Sequence, residues 1–297
     1  MAARILVHGG AGGDSPDLRA GCVLAARRGR RALEAGAGAL DAAVSAVVVL
    51  EDDSRFNAGA GSNLRLDGTI ETDAALMDDA GRFGGVCALM GIRNPVLAAR
   101  RVMDTPHLMV SGEGARSLAL RAGLAEADLS TARTQKKLAK VRRMLREADL
   151  EGSCWEGRDL GSVWNYDADL RTTLGGGDTV GAVVRDREGH FAVAGSTGGT
   201  PMALRGRVGD TPVLGAGLYA GPAGAVAATG NGEEILRALL CYRVYARMER
   251  GCSAREACEW GVELVPEPVV VGLIAMDAEG DGAAARGGMS IAGEAVG

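Results

Sequence analysis

Apolar and polar positions recur with different periods along the chain, and the changes of period mark its elements. "RILVH", Arg4–His8, is a short apolar run that stops at the glycines of "GGAGG", the pattern of a buried strand entering a loop. Asp17 stands where a cap would, and Leu18, Cys22, Ala25 and Ala26 follow at helical spacing, which predicts a helix to about Ala35. Leu40–Leu50 is apolar on several faces and predicts a second, buried helix. In "RFNAGAGSNLRLDGTIETDAALMDD" the Asp67–Gly68 turn separates two alternating runs, a hairpin signal. "GGVCALMGI" predicts a strand, "NPVLAARRVM" a helix with proline in its first turn, and "GEGARSLALRAGL" another helix.

From about Glu147 to Gly177 the periodicity lapses into a polar, glycine-rich stretch. Such a length without elements is uncommon inside a compact domain and is usually functional or disordered. Two strands follow, "TVGAVVRD" and "HFAVAGST", joined at Glu188–Gly189. Helices are expected over Glu233–Arg250 and Ser253–Val265, then a hairpin in "VVVGLIAMDAEGDGAAAR" turning at Glu279–Gly280. No repeat period is visible. Hairpin strands flanked by helices give an α+β class.

Composition narrows the function. The 297 residues suit one large domain or two small ones. At 47% hydrophobic but 3% aromatic, the core must be built from Ala, Val and Leu, and 46 glycines imply many tight turns. A net charge of −5 argues against a nucleic-acid partner, and the basic run "RTQKKLAKVRRMLR" reads as a solvated helix face. Six cysteines without C-x-x-C spacing and three histidines argue against zinc. Scattered cysteines and the lack of a secretory leader point to the cytoplasm. No apolar run reaches membrane-spanning length, so no membrane partner is expected.

The usual catalytic signatures G-x-S-x-G, H-E-x-x-H and G-x-x-x-x-G-K-[ST] are missing. His8, beside a glycine loop, reads as structural. With so few histidines, a hydroxyl nucleophile needs another base. A chain cut just before a threonine supplies one, because the new α-amine titrates near pH 8 and sits on the same residue as the hydroxyl. Thr179 meets this requirement: it follows "LGGGD" and opens a strand-like run. By itself it reads first as an ordinary β-branched strand residue after a loop.

Seven ordered blocks add to this. They are "VHGGAGG" (Val7–Gly13), "LEDDSRFNAGAGS" (Leu50–Ser62), "DGTIETDAALMD" (Asp67–Asp78), "NPVLAARRVM" (Asn94–Met103), "DTVGAVVRD" (Asp178–Asp186), "GSTGGTPMALRGRVGDTPVLGAGLYA" (Gly195–Ala220) and "ATGNGEE" (Ala228–Glu234). Together they resemble the plant-type L-asparaginase/isoaspartyl peptidase family of N-terminal-nucleophile hydrolases. The resemblance implies a four-layer αββα sandwich formed by residues 1–297 as a single domain. It also implies autocatalytic cleavage between Asp178 and Thr179. The products would be an α subunit, 1–178, carrying a linker at about 147–178, and a β subunit, 179–297.

Thr179 would then open β-aspartyl (isoaspartyl) dipeptides and L-asparagine, small-molecule substrates, and release L-aspartate. Arg207 is expected to hold the substrate α-carboxylate and Asp210 its α-ammonium. Thr229 and Gly230 would form the oxyanion hole, Gly232 a backbone contact, and Thr197 and Asn57 would hold the Thr179 hydroxyl and amine. No cofactor is implied for catalysis. A structural sodium ion is implied on the carbonyls of Leu50, Glu51, Asp53, Phe56, Ala58 and Ala60. The assembly implied is an αβ heterodimer paired into (αβ)2.

The sequence departs from the family pattern at four places. They are the aspartate before Thr179, Asn231 where His or Thr is common, "LVPEPVVVGLIAMD" in place of a glycine-rich approach to the last hairpin, and "ARGGMSIAG" near the C-terminus. The last three bear on substrate preference. The alternative is an uncleaved, non-catalytic homologue that binds an amino-acid ligand.

Overall fold

The computed structural model describes residues 2–146, 156–158, 161–163, 165, 179–200 and 203–296. Asp178, Gly175–Gly177 and most of the 147–178 linker lie outside the described residues. The elements in chain order are β1 (Arg4–His8), α1 (Pro16–Glu34), α2 (Ala39–Asp52), β2 (Thr72–Asp78), β3 (Phe83–Leu89), α3 (Pro95–Val102), β4 (Met109–Ser111), α4 (Gly112–Arg121) and α5 (Ala132–Arg146). After the linker come β5 (Thr179–Arg185), β6 (Phe191–Thr197), β7 (Leu218–Gly221), β8 (Gly224–Gly230), α6 (Gly232–Ala238), α7 (Leu240–Met248), α8 (Ala254–Val262), β9 (Val271–Met276), β10 (Asp281–Arg286) and β11 (Ile291–Ala295). The class is α+β, as the sequence suggests.

The strands form two sheets, one ordered β11-β1-β5-β6-β2-β3-β4 and the other β10-β9-β8-β7. Strand parity explains how they are packed, since successive side chains point to opposite faces. In β5, Val180, Ala182 and Val184 join Ile5, Val7, Ala74 and Leu76 in a cluster with the apolar faces of α1–α4. Val183 instead joins Leu6, Met77 and Val193 against Leu218, Ala225, Ala227 and Ile274 of the second sheet. The far face of that second sheet, with Val226, Leu273 and Ala275, is covered by α7 and α8. Strands such as β5 and β6 are buried on both faces, which is why they read as unbroken apolar runs.

Several boundaries differ from the sequence expectation. The cap of α1 is Ser15, whose side chain accepts from Leu18 N–H, not Asp17. Pro16 fills the first helical turn, where a missing N–H costs nothing. The Asp67–Gly68 turn exists, with Gly68 N–H donating to Arg65 O at 2.9 Å, but no strand precedes it; pairing in β2 starts at Thr72. The helix expected over 233–250 breaks at Leu239, which adopts φ 45° between α6 and α7. Strands β4, β7, β8 and β11 escaped the sequence reading. Five cysteines, Cys22, Cys87, Cys241, Cys252 and Cys258, are free. No helix among the described residues is long and apolar enough to cross a membrane.

Candidate active site

Thr179 is the first residue of β5 and lies directly opposite Thr197, the last residue of β6. Thr179 shares parity with Val183, so its side chain faces the second sheet rather than the helices. The Thr179 hydroxyl donates to Thr197 Oγ1 at 3.1 Å, and both residues are buried, at 8% and 4% exposure. Thr197 Oγ1 also accepts the Gly199 N–H at 3.1 Å. Asn57 stands behind this turn: its Nδ2 donates to Gly199 O at 2.9 Å and its Oδ1 accepts Asn63 N–H at 2.9 Å.

Thr179 and Thr197 open onto a pocket of about 620 Å³ that Arg207, Asp210, Gly230, Asn231, Gly232 and Glu233 also line. Thr179, Thr197, Arg207, Asp210, Gly230 and Gly232, from three distant blocks, therefore meet in one cavity, while Thr229 and Asn57 stand outside its lining. At the end of β8, Gly230 has φ 133°, and a Cβ there would lie 2.4 Å from Val270 O; only glycine fits. The neighbouring Thr229 is fully buried and its Oγ1 accepts the Ala11 N–H at 3.3 Å. A hydroxyl that accepts one bond keeps its own proton to donate. Asn231 caps α6 by accepting Glu234 N–H at 3.2 Å, which accounts for asparagine at that position.

Arg207 and Asp210 converge on Gly232. A Cβ on Gly232 would meet Asp210 Oδ1 at 2.7 Å and Arg207 Nη2 at 2.8 Å. Asp210 is buried, Oδ2 has no hydrogen-bond partner, and burial pushes its pKa up to about 7 against the pull of the Arg207 charge. A buried carboxylate in that state is suited to an incoming cation. Arg207 offers a planar fork, currently engaged by Glu233 through Nε (3.0 Å) and Nη2 (2.8 Å). Sequence reading missed Glu233, although "GEE" follows the Gly230 turn directly. It also missed the buried charges Arg65, Glu71 and Asp73, whose only sequence signal is polar residues interrupting an otherwise apolar run.

His8 is fully buried, its ring nitrogens have no hydrogen-bond partner, and burial lowers its pKa to about 3. It is therefore neutral, and it packs where Gly181 leaves room. The six carbonyls named for an ion belong to the end of α2 and the loop after it. There Ala60 N–H donates to Glu51 O (2.7 Å) and Phe56 N–H to Asp53 O (3.0 Å). Gly59 and Gly61 have φ 47° and 140°, and a Cβ on them would reach Glu51 O and Phe56 O, each at 2.4 Å. The glycines let the loop backbone pass close to Glu51 O and Phe56 O, and Phe56 O also accepts from Arg133 Nη2 at 3.3 Å. Neutral carbonyl oxygens of this kind are the donor type that a hard cation takes, and each keeps a second lone pair after one hydrogen bond.

Comparisons with known proteins place the whole chain. The asparaginase family model matches residues 1–295. An isoaspartyl peptidase of Escherichia coli (strain K12) is 40% identical over 295 residues, covering 93% of this chain and 87% of the relative. A plant-type L-asparaginase of Pyrobaculum calidifontis is 39% identical over 288 residues, covering 93% and 91%. An isoaspartyl peptidase/L-asparaginase of Homo sapiens is 38% identical over 290 residues, covering 93% and 87%. With a family match along nearly its whole length and relatives 38–40% identical over 93% of it, this chain belongs to the asparaginase family.

Proposed function

We propose that the protein is a self-processing amidohydrolase that cleaves L-asparagine and β-aspartyl dipeptides with Thr179 as nucleophile. The observation that carries the reading is the Thr179–Thr197 hydroxyl pair, at 3.1 Å, in the pocket lined by Arg207 and Asp210. The relatives' names point the same way and do not favour a non-catalytic homologue. The packing of helices outside each of two facing sheets supports a four-layer αββα sandwich over one domain.

In maturation, the Thr179 hydroxyl attacks the carbonyl carbon of residue 178. The peptide C–N bond breaks as an ester forms, and water hydrolyses the ester to leave 1–178 and 179–297. The freed Thr179 amine, with a pKa near 8, then serves as base. In turnover, Arg207 binds the substrate α-carboxylate through its fork and Asp210 binds the α-ammonium, fixing both ends of the head group. That arrangement selects a scissile amide on the side chain. Thr179 Oγ1 attacks this carbonyl, transferring its proton to the amine. The Gly230 N–H and the Thr229 hydroxyl stabilise the oxyanion, the latter oriented by Ala11 N–H. The amine returns the proton to the departing ammonia or amino acid. Water then releases L-aspartate from the acyl-enzyme.

The main-chain oxygens of Leu50, Glu51, Asp53, Phe56, Ala58 and Ala60 would hold a structural sodium ion. It would brace the loop that carries Asn57 and contribute nothing to bond making. A cytoplasmic αβ heterodimer, paired into (αβ)2, completes the reading. Ammonia release from asparagine and aspartate release from β-aspartyl-leucine test it, with Thr179→Ala as control: both products are expected from the parent and neither from the variant.

A further inference from the structure

Arg65 is 1% exposed and is among the largest fully buried side chains. Burying a guanidinium carries a penalty of several kcal/mol that one ion pair rarely offsets, so its contacts call for an explanation. Its Nε lies 3.1 Å from Glu71 Oε2. The same Glu71 oxygen accepts the Gly206 N–H at 2.8 Å, and Arg65 Nη2 donates to Arg207 O at 3.1 Å. The pair thus holds the amide of residue 206 and the carbonyl of residue 207, the two sides of the backbone from which the Arg207 side chain projects.

The guanidinium is itself wedged in place. A Cβ on Gly199 would lie 3.0 Å from its Nη1, so the Thr197–Gly199 turn closes over it. Asp73 on β2 is fully buried, with Oδ1 accepting Ala88 N–H at 2.8 Å and Oδ2 unpartnered, and it feels the charges of both Arg65 and Arg207. Residues 203–209 belong to no helix or strand. A loop without ladder bonds depends on such outside fastenings for its geometry.

We propose that the Arg65–Glu71 pair is a positioning device that fixes the Arg207 loop for recognition of the substrate head group. It rests on the reading of Arg207 as the carboxylate grip. Neutral replacements of similar volume change stability little at buried pairs, so orientation rather than stability is the gain.

The test is steady-state kinetics per mature active site for Arg65→Met/Glu71→Gln and for Arg65→Lys. KM for L-asparagine and for a β-aspartyl dipeptide should rise by the same factor, about tenfold or more, while kcat changes less than about threefold, the pattern of lost uniform binding. The inhibition constant of L-aspartate, which carries the same head group, should rise equally, with the melting temperature held. Arg65→Lys, which keeps the charge but not the fork, should fall between. Unchanged KM and inhibition constants in the folded double variant would overturn the proposal, as would a loss confined to kcat. If the double variant does not fold, Arg65→Lys decides on the same readouts. Arg207→Ala distinguishes loss of the head-group grip from loss of its positioning. If it leaves aspartate inhibition unchanged, the head-group reading itself is wrong. If it weakens inhibition and the Arg65 variants do not, only the positioning role is wrong.

Discussion

Asp210 illustrates how much one residue's surroundings decide. Its carboxyl is useful to an α-ammonium only when ionised, yet burial raises its pKa to about 7. The parameter kcat/KM, which reports the free enzyme, should therefore fall as pH drops through about 7. The same shift has a stability consequence of fixed sign. As pH rises from the ordinary carboxylate value of 3.8 to about 7, the unfolded chain loses this proton first, so the fold loses stability over that window. Asp210→Asn should flatten the stability profile over that window and remove the steepening of kcat/KM below about 7, leaving only the limb set by the Thr179 amine near pH 8, while raising KM steeply; a second limb near 7 that persists in the variant would assign it to another group. Gly232 is as exacting. Gly232→Ala puts a methyl 2.7 Å from Asp210 Oδ1 and 2.8 Å from Arg207 Nη2. We expect KM to rise by about tenfold or more without loss of fold, because small misplacements of binding groups are amplified in rate. Near-parental KM in Gly232→Ala would mean that the head group does not sit there.

At the scale of elements, the site depends on where strands end. Thr179 begins β5, Thr197 ends β6 and Gly230 ends β8, so each contributes from a rigid ladder yet sits at its rim. β5, β6 and the β9–β10 hairpin were legible because apolar runs flanked by glycine and acidic turns have few other interpretations. β8, "GAVAATG", and β11, "IAGEA", were not, because Ala- and Gly-rich strands lack the β-branched signal and gain their stability from facing elements. The break at Leu239 carries no glycine or proline to announce it. The gathering of Thr179, Arg207, Asp210 and Gly230 was legible only through their motif blocks, since the pairing of distant strands is not written in local periodicity. Arg65, whose role is set wholly by its neighbours, was not legible at all. Elements remote from the pocket should affect stability alone. The α8 capping box joins Ser253 and Glu256 reciprocally. Ser253→Ala should cost about 1 kcal/mol in denaturant unfolding and leave kcat/KM unchanged; a fall in activity at full folding would tie α8 to the site.

At the scale of the molecule, two sheets face each other and their contact edge supplies the pocket, with helices insulating the outer faces. This architecture lets the residues before Thr179 be severed from it without dismantling the core, because β5 is held on both sides by β1 and β6. Self-processing would make Thr179 a chain terminus and then the nucleophile. The decisive measurement is the intact mass of the purified protein, read beside ammonia release from L-asparagine and repeated on Thr179→Ala. Two fragments, the second starting at Thr179, are expected with activity in the parent. One uncut and inactive chain of 297 residues is expected in the variant. A single uncut parent chain that hydrolyses asparagine, or an active Thr179→Ala variant, would contradict it.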